Sequence, residues 1–301
     1  MALMRFRVTH VTYYRYTAPV AEAHLELRLT PPQRENQRVE FHRIRLQPAA
    51  KSSSYTDYFG NETSVVSVPY RHSRLTVKSE AVVETLPVEL PGRSLELPVQ
   101  EARQILASTL PFTYDYLQPT GMVKIGREAT QWARRYLGGN AGLGAGLQAL
   151  NHAIYDQFKY HSGSTEFSTD LREIWKQRAG VCQDFAHVML SVLRTAGLPS
   201  RYVCGYIETT PPGEAAKGRV WLVGSVATHA WVEVLVPGQI WVALDPTNDR
   251  WCGEQHIAVS VGRDACEASP IRGTFKSSGR QVLKVRVNVK RLFRQRVTSG
   301  A

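Results

Sequence analysis

The hydrophobic period of this chain changes near residue 100, and that change limits the fold more than any single motif does. Before it, the segments FRVTHVTYYRY, AHLELRLTP, VEFHRIRLQP, SYTDYFGNETSVVSV and RLTVKSEAVVETL alternate polar and apolar residues or are rich in Val, Thr and Tyr. That is the pattern of half-buried strands. Pro31-Pro32, Pro48 and Gly60-Asn61 separate the segments with turn chemistry. Residues 1–92 are therefore expected to form an antiparallel sandwich or barrel without helices, and the stretch LPVELPGRSLELP reads as a boundary or linker.

Beyond the boundary the spacing is helical at EARQILAST, REATQWARRYLG and GLQALNHAIYDQFKY. The Gly-rich run at 138–146 has no GK[ST] and no preceding strand, so it reads as a flexible connection between helices and not as a phosphate loop. After Cys182 strand patterns return at SRYVCGYIE, RVWLVGSV, HAWVEVLV, QIWVALDPT and QVLKVRVNVKRL. The expected class is α+β, with residues 1–92 as a β-rich domain and 93–301 as a second domain of helices followed by an antiparallel sheet.

With 301 residues, 43% of them hydrophobic, the chain is long enough to bury a core of one large or two ordinary domains. Four cysteines without a CxxC pair argue against a disulfide scaffold or a zinc knuckle and fit a reducing compartment. MALMRFRVTHVTYYRY alternates too strongly and is too charged for the apolar part of a signal peptide, and no stretch approaches a membrane span. A cytoplasmic location is the default expectation. The net charge of +11 admits nucleic acid, an anionic surface or an acidic substrate. Because the basic residues are scattered along the sequence, a solvated basic surface is favoured, with no nucleic-acid partner and no membrane partner expected.

Two local patterns carry chemistry. In RAGVCQDFAHVMLSVLRTAGLPSRYVCGY, Phe185, Ala186, Met189, Val192, Leu193 and Ala196 recur at helical spacing, and Gly197 and Pro199 end the helix. With Val181 near the N-cap, Cys182 lies in the first turn, where unpaired N–H groups and the helix dipole favour a thiolate and an anionic oxygen. Asp184 in the same turn suits that dipole.

The second pattern is THAWVEVLVPGQIWVALDPT, which reads as a hairpin. Pairing Ala230, Val232 and Val234 with Ile240, Val242 and Leu244 on one face puts His229 and Asp245 together on the other. A three-residue loop at 236–238 sets them directly opposite, and one at 237–239 makes them diagonal neighbours. A two-residue Pro-Gly loop separates them and mismatches the apolar sets. A carboxylate that orients an imidazole, which in turn takes the proton of a thiol, is a working arrangement for acyl transfer. The histidines at His10, His24, His72, His152 and His187 have no comparable partner in sequence, and no metal-ligand set assembles.

These motifs, RAGVCQDFAHVMLSVLRTAGLPSRYVCGY, THAWVEV and WVALDPT, resemble the core of the transglutaminase-like superfamily of papain-like thiol enzymes. HVTYYRYTAPV, LRLTPP and DYFGNETSVVSV resemble the β-rich region that precedes this core in bacterial members. The resemblance implies a papain-like core at 160–255 with a C-terminal β extension at 256–301, and Cys182 as nucleophile, His229 as general base and acid, and Asp245 as orienting carboxylate. It implies one oxyanion donor at the Cys182 N–H, with Tyr160, Trp175 and Gln177 as candidates for a second. The chain departs from the family at Ala265-Cys266-Glu267, where an aromatic-acidic pair is usual.

The implied activity is acyl transfer on peptide or amide bonds, with hydrolysis expected and amine transfer or a binding module as alternatives. The substrate is expected to be a peptide or protein, acidic if the positive charge steers it. No cofactor is expected, nor calcium, because no Asp-rich ligand loop is visible.

Overall fold

The structure is a computed structural model and describes residues 3–293 apart from 111, 139, 164, 209–221 and 224–226. Six strands open the chain: β1 (Met4–Val20), β2 (Glu22–Leu27), β3 (Gln37–Gln47), β4 (Lys51–Thr56), β5 (Glu62–Val68) and β6 (His72–Thr85). They coincide with the period-two segments. Alternate residues of β1, from Phe6 and Val8 to Tyr14 and Tyr16, are buried, while Arg7, Tyr13 and Arg15 between them are exposed.

Helices follow: α1 (Gly92–Glu96), α2 (Val99–Ala107), α3 (Arg127–Leu137) and α4 (Leu143–Gln157). Next come β7 (Lys159–Tyr160), α5 (Leu171–Gln177), β8 (Ala179–Gly180) and α6 (Cys182–Thr195). The remaining strands are β9 (Ser200–Ile207), β10 (His229–Val236), β11 (Ile240–Asp245), β12 (Arg250–Trp251), β13 (His256–Gly262), β14 (Ile271–Lys276) and β15 (Gln281–Arg291). The expected strand RVWLVGSV lies almost wholly outside the described residues.

The central sheet has the order β12-β11-β10-β9-β13, all antiparallel. Helix α6 packs on it, Phe185, Met189, Val192 and Leu193 sharing one core with Tyr202, Val232, Val234, Val242 and Leu244. Each such fully buried side chain contributes about 1.5–3 kcal/mol relative to exposure. Gly197, at φ +74°, terminates the helix, and the Leu198 N–H reaches the Leu193 carbonyl at 3.0 Å.

Two expectations about the chain's organisation are corrected. The segment 256–301 is not one extension of the second domain, since only β13 joins the central sheet. Strand β14 pairs with β2, and β15 pairs with β1 over eleven residues, giving four-stranded sheets β15-β1-β6-β3 and β14-β2-β5-β4. These two sheets share an apolar core that includes Tyr16, Leu25, Val66 and Leu75, with the half-buried Phe275 packed against it. Without β15, the seventeen-residue β1 would expose a long row of backbone N–H and C=O groups at a sheet edge. Period two marks a strand but not the sheet it joins.

The Gly-rich run is not a flexible connection throughout, because α4 begins at Leu143 and takes in Gly144 and Gly146. A Cβ on Gly146 would lie 2.6 Å from the Tyr136 carbonyl oxygen, so the glycine lets α4 approach the end of α3. The proline-containing boundary likewise holds the short helix α1.

Candidate active site

The Gly-Val step before Cys182 is explained by a carboxylate. Val181 is the N-cap of α6, with extended backbone at φ −116° and ψ 179°. The Asp184 Oδ2 accepts the Val181 N–H at 2.9 Å and the Thr165 hydroxyl at 2.7 Å. A Cβ at Gly180 would sit 2.6 Å from that same oxygen, so only glycine admits the carboxylate there. Burial raises the pKa of Asp184, while the Val181 and Thr165 hydrogen bonds act against the rise.

The approach to this turn is pinned from both sides. Strand β8 pairs in parallel with β7, Tyr160 opposite Gly180, and the His161 N–H donates to the Gly180 carbonyl at 2.9 Å. Arg178 has left-handed backbone at φ 52°. Its guanidinium lies over three aromatic rings, 4.8 Å from the centroid of Phe158, 5.1 Å from Trp175 and 5.3 Å from Trp132. Burial lowers the Arg178 pKa.

His229 opens β10 and Asp245 closes β11. Val236 pairs with Ile240, so the loop is 237–239, with Gly238 and Gln239 at φ 92° and 61°. His229 and Asp245 are diagonal rather than directly opposed, and His229 Nε2 still lies 2.8 Å from Asp245 Oδ2. Both side chains are fully buried. Burial alone would depress the imidazole pKa, but the Asp245 charge and hydrogen bond, with a further hydrogen bond involving Cys182, hold His229 well above its ordinary value. Asp245 is displaced downward: burial opposes ionisation, and the charge and hydrogen bond of His229 together with the His256 hydrogen bond outweigh it.

The carboxylate collects more donors than the hairpin supplies. His256 Nε2 lies 3.2 Å from Asp245 Oδ2, and Asn248 Nδ2 donates to that oxygen at 2.7 Å. Asp245 Oδ1 accepts the backbone N–H of Thr247 at 2.9 Å and of Asn248 at 3.2 Å. The Gly253 N–H donates to His256 Nδ1 at 3.3 Å, so His256 carries its proton on Nε2 and donates it to Asp245. Burial holds the pKa of His256 below its ordinary value.

Because Nε2 of His229 is taken by Asp245, its Nδ1, buried and otherwise without a partner among the described residues, is the atom left for the Cys182 thiol. Cys182, buried at 9% exposure, is the most exposed of the three. The candidates for a second oxyanion donor separate. Trp175 is buried against Phe158 and Trp132, Gln177 is exposed at the end of α5, and Tyr160 packs edge-on against Phe185, its phenol pKa raised by burial and then by Cys182. Of the other cysteines, burial pushes the Cys204 thiol up to about 12 and Cys252 well above its ordinary value, and Cys266 is exposed. At the departure near residue 265, the Ala265 N–H donates to His187 at 3.1 Å and Glu267 pairs with Arg263.

Thr165, Asn248 and His256 were not singled out by the sequence patterns. Asn248 follows Asp245 by three residues and was open to a turn argument, whereas His256 reaches the site from another strand. His152, without an evident partner in sequence, stands 2.7 Å from Asp249 on the surface.

Comparison with known proteins is consistent along the chain. Residues 6–84 match the bacterial transglutaminase-like N-terminal region and residues 130–246 the transglutaminase-like superfamily. An uncharacterized protein of Mycobacterium tuberculosis is 36% identical over 302 residues, covering 95% of this chain and 92% of its own. A protein-glutamine gamma-glutamyltransferase of Pseudomonas aeruginosa is 41% identical over 76 residues, 25% of this chain and 11% of that one. The solved structure of a "Putative Cysteine Protease" from Cytophaga hutchinsonii superposes with a TM-score of 0.73 at 19% identity, over 98% of this chain and 93% of the other.

Proposed function

The chain belongs to the transglutaminase-like superfamily, and from that premise we propose that it is a thiol enzyme acting on peptide or amide bonds through an acyl group carried on Cys182. The observation that carries the reading is the division of labour on one ring: His229 Nε2 is held by Asp245 and Nδ1 is left for the thiol. Nδ1 already holds the proton drawn from the thiol, in keeping with the raised pKa of His229, and Sγ attacks the carbonyl carbon as the thiolate. A C–S bond forms and the carbonyl π pair moves to oxygen, where first-turn N–H groups of α6, that of Cys182 among them, meet the negative charge. The C–N bond then breaks, and the departing nitrogen takes the proton from His229. A water oxygen then bonds to the thioester carbon and gives a proton to His229, the C–S bond breaks to release the carboxylic acid, and the sulfur leaves as thiolate beside the protonated ring, ready for the next turnover. Asp245 fixes the ring and offsets its positive charge in both half-reactions.

Hydrolysis is the preferred outcome, with a peptide or protein as substrate. Amine transfer is the second reading, favoured by the likeness to the Pseudomonas aeruginosa glutamyltransferase. Mass spectrometry of a peptide pool rich in Gln and Glu, incubated with and without a primary amine, separates them. Shortened or deamidated peptides formed by the wild type and not by Cys182→Ala establish transfer to water. Amine-tagged peptides establish the second reading, and an unchanged pool with a Cys182 thiol no more reactive than Cys266 overturns both.

A further inference from the structure

The basic residues scattered along the sequence are gathered by strand register onto one surface. In the sheet β15-β1-β6-β3, inward residues such as Phe6, Val8 and His10 are buried, and His10 lies 2.9 Å from the hydroxyl of Tyr206 in the central sheet. The opposite face therefore points away from the central sheet. It presents three arginines from β1, three from β3, Arg74 and Lys78 from β6, and Lys284, Arg286 and Lys290 from β15. Against these eleven cations stand Glu40, Glu80 and Glu84, so the face carries eight of the chain's eleven net charges.

This arrangement works against the sheet that holds it. Arg7 is registered opposite Lys290, Arg15 opposite Arg74, and Arg45 opposite Lys78. Like charges directly opposed across strands destabilise a sheet. Arg7, Arg15, Arg45, Arg74, Arg286 and Lys290 make no ion pair among the described residues. Amid the cations sit apolar positions: Val11 between Arg286 and Lys78, and Tyr13, 41% exposed, between Lys284 and Thr76.

We propose that this outer sheet face is a docking surface for a bilayer containing anionic phospholipid. Four strands at about 4.8 Å spacing, and eleven residues of β1 at about 3.3 Å each, make an area roughly 15–20 Å by 35 Å. The cations are spread in both dimensions of it. A planar array of headgroup phosphates meets all of them at once, while Lys and Arg stems and the Tyr13 ring suit the interfacial layer. An extended acidic peptide would meet one row. Stacked bases need a series of open rings, and the Phe41 ring lies under the Arg43 guanidinium at 5.6 Å, leaving Tyr13. The charge that suggested an acidic substrate thus serves attachment, with Cys182 belonging to the separate core of α6 and the central sheet.

Co-sedimentation with vesicles tests this without reference to catalysis. The full chain is expected to bind vesicles of mixed phosphatidylglycerol and phosphatidylcholine, not pure phosphatidylcholine, and to be released near 1 M salt, where the screening length is about 3 Å. Arg15→Ala/Arg74→Ala and Lys284→Ala/Arg286→Ala are each expected to weaken binding by more than about tenfold. Arg127→Ala/Arg172→Ala, at exposed positions on α3 and α5, leaves it within about twofold of wild type. The thermal midpoint of the Arg15/Arg74 variant is expected to equal or exceed that of the wild type, which separates lost binding from lost folding. Equal binding to neutral vesicles, or no vesicle binding at all, overturns the proposal. So does displacement from the vesicles by duplex DNA or polyglutamate at equal charge.

Discussion

His229 and His256 bring their Nε2 atoms to the same carboxylate oxygen of Asp245, at 2.8 and 3.2 Å. The two rings have opposite electrostatic characters, since the pKa of His229 is raised and that of His256 is lowered. In the mechanism proposed above, this one carboxylate orients the ring that exchanges protons and is itself held by a second ring whose protonation burial disfavours. His256 meets His229 through their shared partner, Asp245 Oδ2.

Replacing His256 by Ala is expected to cost about 1.5–3 kcal/mol of stability, the range for a hydrogen bond to a charged group. It should also slow Cys182 alkylation by iodoacetamide. His256→Gln, which keeps a donor, is expected to recover most of the alkylation rate. Denaturant unfolding and alkylation kinetics measured on both variants decide this, and equal rates for Ala and Gln would assign His256 to packing alone.

Stability should follow pH with a shape set by the buried pair. His229, raised in the folded state, contributes fully below about pH 6.5 and loses that contribution as pH rises toward its folded value. Asp245, lowered in the folded state, contributes fully above about pH 4 and loses it on acidification. Maximal stabilisation from the pair falls between about pH 4 and 6.5. Asp245→Asn is expected to flatten the alkaline limb of the thermal midpoint between about pH 6 and 9, and to lower turnover by about 10³–10⁴-fold.

Gly180→Ala drives a methyl group into the Asp184 carboxylate that caps α6. A loss of about 1–2 kcal/mol is expected, the size of a missing N-cap. Cys182 alkylation should fall with it, whereas Ala substituted at Gly60, in the left-handed turn between β4 and β5, lowers stability without changing the alkylation rate.

Cysteine chemistry should be selective. Cys204 and Cys252 are buried with raised thiol pKa values, while Cys266 is exposed. In a Cys266→Ser background, brief alkylation near neutral pH is expected to add a single label, located at Cys182 by peptide mapping. A label divided evenly among the remaining cysteines would count against an activated thiol.

The sequence made the site more legible than the fold around it. Cys182 was readable because capping and helical spacing are local, and the His229–Asp245 pair because alternation fixes which residues share a face. Alternation does not fix register, however. Loops at 236–238 and 237–239 keep the same faces, and the left-handed backbone at Gly238 and Gln239 selects the second. His256 was illegible because its partner lies on another strand. The basic face was illegible for a related reason: Arg15 and Arg74, or Arg7 and Lys290, become neighbours only through pairing across strands.

The pairing of β15 with β1 also orders events during synthesis. A nascent chain that has reached residue 270 has made six strands of the N-terminal sheets and all the helices described here, yet β1 and β2 still lack partners that come later. Strands β1 and β2 are thus made long before the sheets they belong to are completed. Until β14 and β15 arrive, two strand edges stay open to mispairing, and a chain truncated near residue 270 would keep its cysteine, histidine and aspartate while remaining prone to edge-to-edge association.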